Sequence, residues 1–338
     1  MRALLLVFCA AAFALDLYAP AIQPEMVEQI NSMNGVTWQA GMNGHFEGLN
    51  LKDVQRMLGV HPTPASERLP EKHHMKAISL PDEFDPRKEY GDRCPSTKML
   101  RDQGGCGSCW AFAAAASITD RICIATKGAM NPIISAEDIV SCCSITHAPL
   151  ECTSDKGCNG GQIKDPWSYW HSKGVVTGGL YGDTQTCQPY TIPPCEHHVD
   201  GPRPSCAGED YKTPQCLRTC SNSSIDYKSD KTFGDKAYSV SGVQNIMQEL
   251  VQHGPLSASL SVYEDFEAYK GGVYQHVKGS FLGLHAVSLI GYGVDNGTPY
   301  WLLKNSWNND WGEGGFFRIL RGKNECGIEG EIAGSVPM

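Results

Sequence analysis

Long apolar runs are almost missing from this chain of 338 residues. The longest, Ala3 to Leu15, spans thirteen positions, short of the roughly 20 that a bilayer core requires. Stable membrane insertion is therefore not expected. Basic runs are missing too, and no tract interleaves aromatic residues with arginine. With 28 Lys and Arg against 37 Asp and Glu, the formal charge is −9, a balance that argues against nucleic acid as a partner. Repeated Cys and His ligand spacings are absent, because Cys142 and Cys143 are adjacent and the other gaps are irregular. Neither structural zinc nor any other metal is expected. Disorder is excluded as well: 41% of residues are hydrophobic and only 19% charged, enough to bury a core in one large or two small domains.

What is present begins with a processing signal. Arg2, the apolar run and the small residues around Ala12-Phe13-Ala14 have the order of a secretory signal peptide cut near Ala14. Cysteine usage fits that route. Of 15 Cys, 13 lie between Cys94 and Cys220, and in an oxidising lumen such density reads as a disulfide framework.

The segment from Leu15 to Ser79 has no Cys and holds His45, His61, His73 and His74, four of the 11 His. Met26, Ile30 and Met33 share one helical face, as do Leu51, Val54 and Leu58. Pro62, Pro64 and Pro70 then mark a helix-poor linker. This segment is either a small N-terminal subdomain or a removable pro-segment, and the residues C-terminal to it favour the second.

From Leu80 to Cys220 the chain is rich in Cys and Gly, with a helical pattern from Ser108–Cys109 through Ile118. Beyond Ser221 a helix at Val243–His253 precedes strand-like stretches at Leu256–Tyr263, Ala286–Tyr292, Tyr300–Leu303 and Phe316–Leu320. A helical, disulfide-stapled half followed by a sheet half predicts an α+β protein of two lobes with a cleft between them.

The stretch Gln103-Gly-Gly-Cys106-Gly-Ser-Cys109-Trp110 carries the chemistry. Its glycines turn the chain so that Cys109 enters the first turn of a helix, where unpaired amides and the helix dipole favour a thiolate. A thiolate is the nucleophilic form of cysteine. Gln103 is placed to donate to an oxyanion beside the Cys109 backbone N–H. Cys106 and Cys109 also form a C-x-x-C, so a redox dithiol stays open at this point. A nucleophilic Cys needs a distant His and a group to orient it. His285, before Ala-Val-Ser-Leu-Ile, and Asn305, before Ser306-Trp307, supply both.

These three segments resemble, in order, the active-site signatures of papain-like cysteine peptidases. Pro193-Pro194-Cys195-Glu196-His197-His198 resembles the occluding loop of the cathepsin B branch, and Thr37-Trp38-Gln39-Ala40-Gly41 its short pro-segment. The likeness covers essentially the whole chain. It implies a papain-like two-lobed fold, with a helical, disulfide-rich left lobe and a β-barrel-like right lobe. It implies a signal peptide at 1–14, an inhibitory pro-segment at 15–79 and a mature peptidase at 80–338, with the loop at about 187–216. Cys109 would attack the peptide carbonyl, His285 would protonate the leaving amine, and Asn305 would orient the imidazole under the shield of Trp307. Gln103 and the Cys109 N–H would hold the oxyanion.

Further roles follow from the same likeness. His197 and His198 would receive a substrate's C-terminal carboxylate and confer dipeptide release; the loop would be latched by His197 to Asp102 and by Arg203 to Asp310. Gly160 and Gly161 would pair with an extended substrate, and Glu331 would form the base of a side-chain pocket that accepts Arg. Twelve Cys would pair as Cys94–Cys123, Cys106–Cys158, Cys142–Cys216, Cys143–Cys152, Cys187–Cys220 and Cys195–Cys206, a choice that spacing alone does not make. Cys9 in the signal, Cys109 and Cys326 would stay outside the set. No cofactor is implied. The implied partners are peptide and protein substrates, the chain's own pro-segment and cystatin-like inhibitors, acting on a monomer of the secretory pathway, lysosomal, endosomal or extracellular.

Three departures stand out. The Cys143–Cys152 loop is longer than usual, Leu284 stands where the pattern has Gly, and the chain ends at Val336-Pro-Met338 where the pattern has a short extension. Leu284 bears on substrate preference. Asn222-Ser-Ser224 and Asn296-Gly-Thr298 are glycosylation sequons, and Asn222 is the better candidate because Pro299 follows the second. Rival readings are an endopeptidase with an idle loop, a protease-shaped binding protein and a thiol oxidoreductase.

Overall fold

A computed structural model describes residues 15–194 and 211–338. The N-terminal segment forms α1 (Pro24–Ser32), strand β1 (Trp38–Ala40) and α2 (Leu51–Met57). A capping box starts α2: the Asn50 side chain accepts the Asp53 N–H while the Asp53 carboxylate accepts the Asn50 N–H. Next come α3 (Pro86–Glu89), α4 (Cys109–Ala125), α5 (Ala136–Cys142) and α6 (Asp165–Ser172). After β2 (Tyr238–Ser239) and α7 (Val243–His253) the chain runs through β3 (Leu256–Tyr263), β4 (Tyr269–Tyr274), β5 (Phe281–Asp295), β6 (Thr298–Lys304), β7 (Phe316–Leu320) and β8 (Ile332–Gly334).

Helix α4 is the axis of the molecule. Every residue from Cys109 to Cys123 is buried, as an apolar helix must be when both sides are covered. Helices α5 and α6 lie against one side and strands β3 and β5 against the other. Its own Trp110 joins Trp167 and Trp170 of α6 in the core of the helical lobe. The second core lies against the sheet, and it takes in Trp38, Phe46, Leu51 and Val54 of the N-terminal segment. That segment is thus part of the hydrophobic interior, not an appended tail.

The strands form one eight-stranded sheet ordered β1-β4-β7-β6-β5-β3-β8-β2. Only β4 and β7 pair in parallel. The expected barrel-like lobe needs correction here: β1 and β2 stand at opposite edges, so the sheet is open among the described residues. The β4 edge is covered instead by β1, with Trp38 opposite Gly272.

Two buried ion pairs tie α4 to the sheet lobe. Lys304 donates to Asp120 at 2.8 Å. Arg121 donates to Glu249 at 3.1 Å and to the carbonyls of Gly254 and Ser335. Among the described residues five disulfides join Cys94 to Cys123, Cys106 to Cys158, Cys142 to Cys216, Cys143 to Cys152 and Cys187 to Cys220. Cys195 and Cys206 lie outside the described residues. The Cys106 bridge leaves no C-x-x-C dithiol to cycle.

Several element boundaries differ from the sequence expectation. Met33 and Leu58 fall one residue past α1 and α2, as their caps, and Met33 is exposed. His285 sits inside β5 rather than at its start. Strands β1, β2 and β8 have three residues or fewer, and β4 is interrupted by Gly271 and Gly272, so none shows a period-two signal.

Candidate active site

Cys109 is the first residue of α4, positioned by the turn Gly104–Ser108 and by the Cys106–Cys158 bridge. Its side chain is fully buried, and burial pushes the thiol up to about 11 even though the amides of Ala286, Gly59 and Trp110 point at the sulfur. The expected thiolate is therefore absent in this state: desolvation outweighs the helix terminus. His285 comes from the middle of β5, across from Leu260. Its Nε2 lies 2.8 Å from the Asn305 Oδ1, and the ring stacks on Trp307 at 4.5 Å between centroids.

The Asn305 Oδ1 also accepts the Ser306 N–H at 2.8 Å, which fixes the amide orientation and makes His285 Nε2 the protonated nitrogen. Nδ1 is left buried without a hydrogen bond, and burial holds the imidazole down to about 4. Both members of the pair are thus neutral here. The Gln103 side chain is held by Ser306, whose hydroxyl donates to its Oε1 at 2.7 Å. Its Nε2 donates to the Cys106 carbonyl at 2.7 Å and to the Met57 carbonyl at 2.9 Å.

Met57 belongs to the N-terminal segment, and sequence reasoning did not find its part in the site. The chain from Met57 to Thr63 fills the groove between the lobes. Gly59 N–H donates to the Cys109 Sγ at 3.3 Å. Val60 N–H donates to the Leu284 carbonyl, and Gly161 exchanges bonds of 2.9 Å with Gly59 and His61. Gly160 has φ +103°, and a Cβ there would lie 2.7 Å from the His61 ring, so this wall has room for a peptide only because it lacks side chains. Thr63 hydrogen-bonds Glu331 at the mouth of a cavity of about 210 Å³ lined by Ile163, Val240 and Ala333.

The acids named as latch partners face the same segment. His45 Nδ1 is 3.4 Å from Asp310 Oδ1, and Asp102 accepts the Gly104 N–H while burial raises its carboxyl despite His45 nearby. His45 and Phe46 also lie against Trp307. His197, His198 and Arg203 lie outside the described residues. Asn222 sits in a turn, one N–H of its amide donating to the Thr184 carbonyl at 3.1 Å.

The family described as "Papain family cysteine protease" matches residues 80–336. The chain belongs to that family. "Peptidase family C1 propeptide" matches residues 22–64, a stretch whose last residues, from Met57, lie in the groove. The protease is 41% identical over 317 residues to a "Cathepsin B-like cysteine proteinase" of Schistosoma japonicum, covering 92% of this chain and 90% of that one. It is 43% identical over 327 residues to "Cathepsin B-like cysteine proteinase 4" of Caenorhabditis elegans, covering 94% and 93%. Among solved structures, "proCathepsin B S9 from Trypanosoma congolense" superposes with a TM-score of 0.80 at 34% identity, covering 95% and 100%. A procathepsin L 3 of Tenebrio molitor, at 22% identity and a TM-score of 0.65, shares the fold. The protein is a cathepsin B-like cysteine protease carrying its propeptide, and no helix of the described residues is long and apolar enough to cross a membrane.

Proposed function

We propose that the chain is a zymogen whose pro-segment, residues 15–79, blocks a Cys109–His285–Asn305 site, and that the mature protease from Leu80 onward is both endopeptidase and peptidyl-dipeptidase. The observation that carries this reading is the Met57–Gly59 stretch, which takes a hydrogen bond from Gln103 and gives one to the Cys109 sulfur. A peptide carbonyl already occupies a donor suited to an oxyanion. In catalysis Cys109 Sγ bonds to the scissile carbonyl carbon while His285 Nδ1 takes the thiol proton. The amine leaves with that proton, and water hydrolyses the thioester. Gln103 and the Cys109 N–H stabilise the charged oxygen, and Asn305 keeps the proton on Nε2 so that Nδ1 faces the thiol.

Dipeptide release is assigned to His197 and His198, whose cationic rings would pair with a C-terminal carboxylate, with the loop latched to Asp102 and Asp310. Glu331, reached by Thr63 in the zymogen, would take an arginine side chain in the mature enzyme. Glu331→Gln is expected to lower kcat/KM for substrates with Arg at that position about tenfold, the size of one charge-assisted hydrogen bond, while leucine substrates keep theirs. Equal losses on both would remove Glu331 from specificity. Activation at acid pH, delivery through the secretory pathway to lysosome or exterior, inhibition by cystatin-like proteins, a monomeric state and a glycan on Asn222 complete the reading.

Mass spectrometry of a defined peptide digested by the acid-treated protein, with Cys109→Ala as control, tests it. The expected product is a ladder shortened two residues at a time from the C-terminus, absent in the control. Internal cuts alone would withdraw the dipeptidase, and no cleavage would withdraw the protease.

A further inference from the structure

Beyond the groove, the pro-segment makes a second set of contacts with the outside of the sheet lobe. Residues 69–76 run along β2 and α7. The Ser239 N–H donates to the Pro70 carbonyl at 3.0 Å and the Ser239 carbonyl accepts the Lys72 N–H at 2.9 Å. Asn245 donates to the Lys72 carbonyl at 2.8 Å and Gln248 to the Lys76 carbonyl at 2.7 Å. Such main-chain bonds hold an extended segment whatever its side chains.

One side chain goes deeper. Lys72 Nζ lies 4.2 Å above the Tyr238 ring and 3.1 Å from Glu249 Oε2. The Glu249 side chain is fully buried, and its other oxygen is held by Arg121 and by the Tyr238 hydroxyl. Against the cost of its burial, Arg121 and Tyr238 together hold Glu249 down to about 2, so it stays charged at any pH the protein meets. A buried carboxylate beneath an aromatic face is a fitted seat for an ammonium.

Two imidazoles adjoin that seat. His74 Nε2 is 3.1 Å from Glu249 Oε2, and its ring stacks on that of His253 from α7 at 6.4 Å between centroids. The charged groups facing them are Glu249 from α7, Arg121 from α4, which acts on His253, and Lys72 from the segment itself. His73 points outward, toward Glu71. One anion thus serves two permanent cations, and two further protons would make four positive groups around it.

We propose that β2 and α7 form a lysine-binding subsite, outside the catalytic groove, that holds the pro-segment through Lys72 and releases it when His74 and His253 take up protons. The inference rests on the zymogen reading and gives it a named acid trigger. Burial lowers both imidazoles in the docked state, His253 to about 4, and outweighs the opposing pull of Glu249; Lys72 adds to the lowering of both rings and Arg121 to that of His253. Undocked, His74 returns to the ordinary imidazole value of about 6.5, and His253, which stays on α7, loses the Lys72 charge and the His74 ring that helped hold it down. Above about pH 6.5 both states carry neutral rings and docking is at full strength. As pH falls toward 4, the undocked state binds more protons, so acid drives release. Glu249 does not titrate in that window and keeps attracting Lys72, so release depends on the imidazoles.

Amide hydrogen exchange on the full-length Cys109→Ala chain, corrected for intrinsic rates, tests this without any proteolysis. Exchange across residues 69–76 is expected to rise at least tenfold from pH 7 to pH 4.5 while β5 stays protected. The His74→Gln, His253→Gln double variant should show a flat profile, and Lys72→Met should open the segment already at pH 7. An unchanged pH rise in the double variant, no rise in the parent, or a closed Lys72→Met segment would each overturn the proposal. A parent chain with Cys109 intact that cleaves no peptide, beside a Cys109→Ala chain that shows the pH rise, would sink the protease reading and leave this one standing.

Discussion

Iodoacetamide is expected to modify Cys109 at least ~10³-fold more slowly in the intact chain at pH 7 than after the pro-segment has been removed. In the intact chain the thiol has no exposed surface and is pushed up to about 11, so only about one molecule in 10⁴ carries a thiolate at pH 7. The cause is the cover. Once the pro-segment leaves, water and the α4 N-terminus act on the sulfur together, and His285 is free to accept its proton and pair with it. The pH dependence separates this from simple shielding: in the intact chain the rate should climb about tenfold per unit up to pH 10, whereas the mature rate should be flat over that range. Cys326, the other cysteine outside a disulfide among the described residues, is half-buried with its thiol raised by burial and serves as an internal reference. Equal rates before and after processing would mean that the pro-segment does not control ionisation of the site.

Gly59→Ala is expected to make the intact chain active by about 10²-fold over the parent, measured on a small fluorogenic peptide before any processing. A Cβ at Gly59 would overlap the backbone carbonyl of Gly107, which lies beside it across the groove. Neither partner is a side chain that can swing away, so the pro-segment must lift. Overpacking of this kind costs about 3 kcal/mol at the upper end of its usual range, which is ~10² in the closed-to-open ratio. Lifting also withdraws the Gly59 N–H from Cys109 and the Met57 carbonyl from Gln103. A Gly59→Ala chain as silent as the parent, and equally resistant to nicking between residues 57 and 63, would show that the groove is blocked by something other than this close passage.

Much of this protease was legible in the order of its residues. Cys109 could be placed at a helix start because glycines precede it and an unbroken apolar run comes after it, and local sequence governs both. His285 and Asn305 could be named because each stands in a short pattern of its own beside apolar strand residues. Their partnership was another matter. The 2.8 Å contact between them and the unsatisfied His285 Nδ1 depend on the pairing of β5 with β6, which brings residues 20 apart in the chain side by side.

The pro-segment shows the limit most clearly. Its two helices could be located from apolar spacing, but nothing in Met57-Leu58-Gly59-Val60 marks it as the stretch that meets Cys109. Strand β1 is three residues long and exists because the β4 edge is there to receive it. The open sheet has the same origin, since closure depends on which edges meet and not on the composition of any strand.

By itself, then, the sequence determined the residue types for chemistry, the disulfide-rich helical half, the sheet half and the presence of a cysteine-free N-terminal segment, because each is written in local pattern. The tertiary structure alone decided that Cys109 and His285 are both neutral in this state, that Glu249 seats Lys72, and which glycines the pro-segment passes. Those outcomes depend on burial and on charges brought together from distant parts of the chain, and desolvation and Coulomb interaction act on distance in space, not along the sequence.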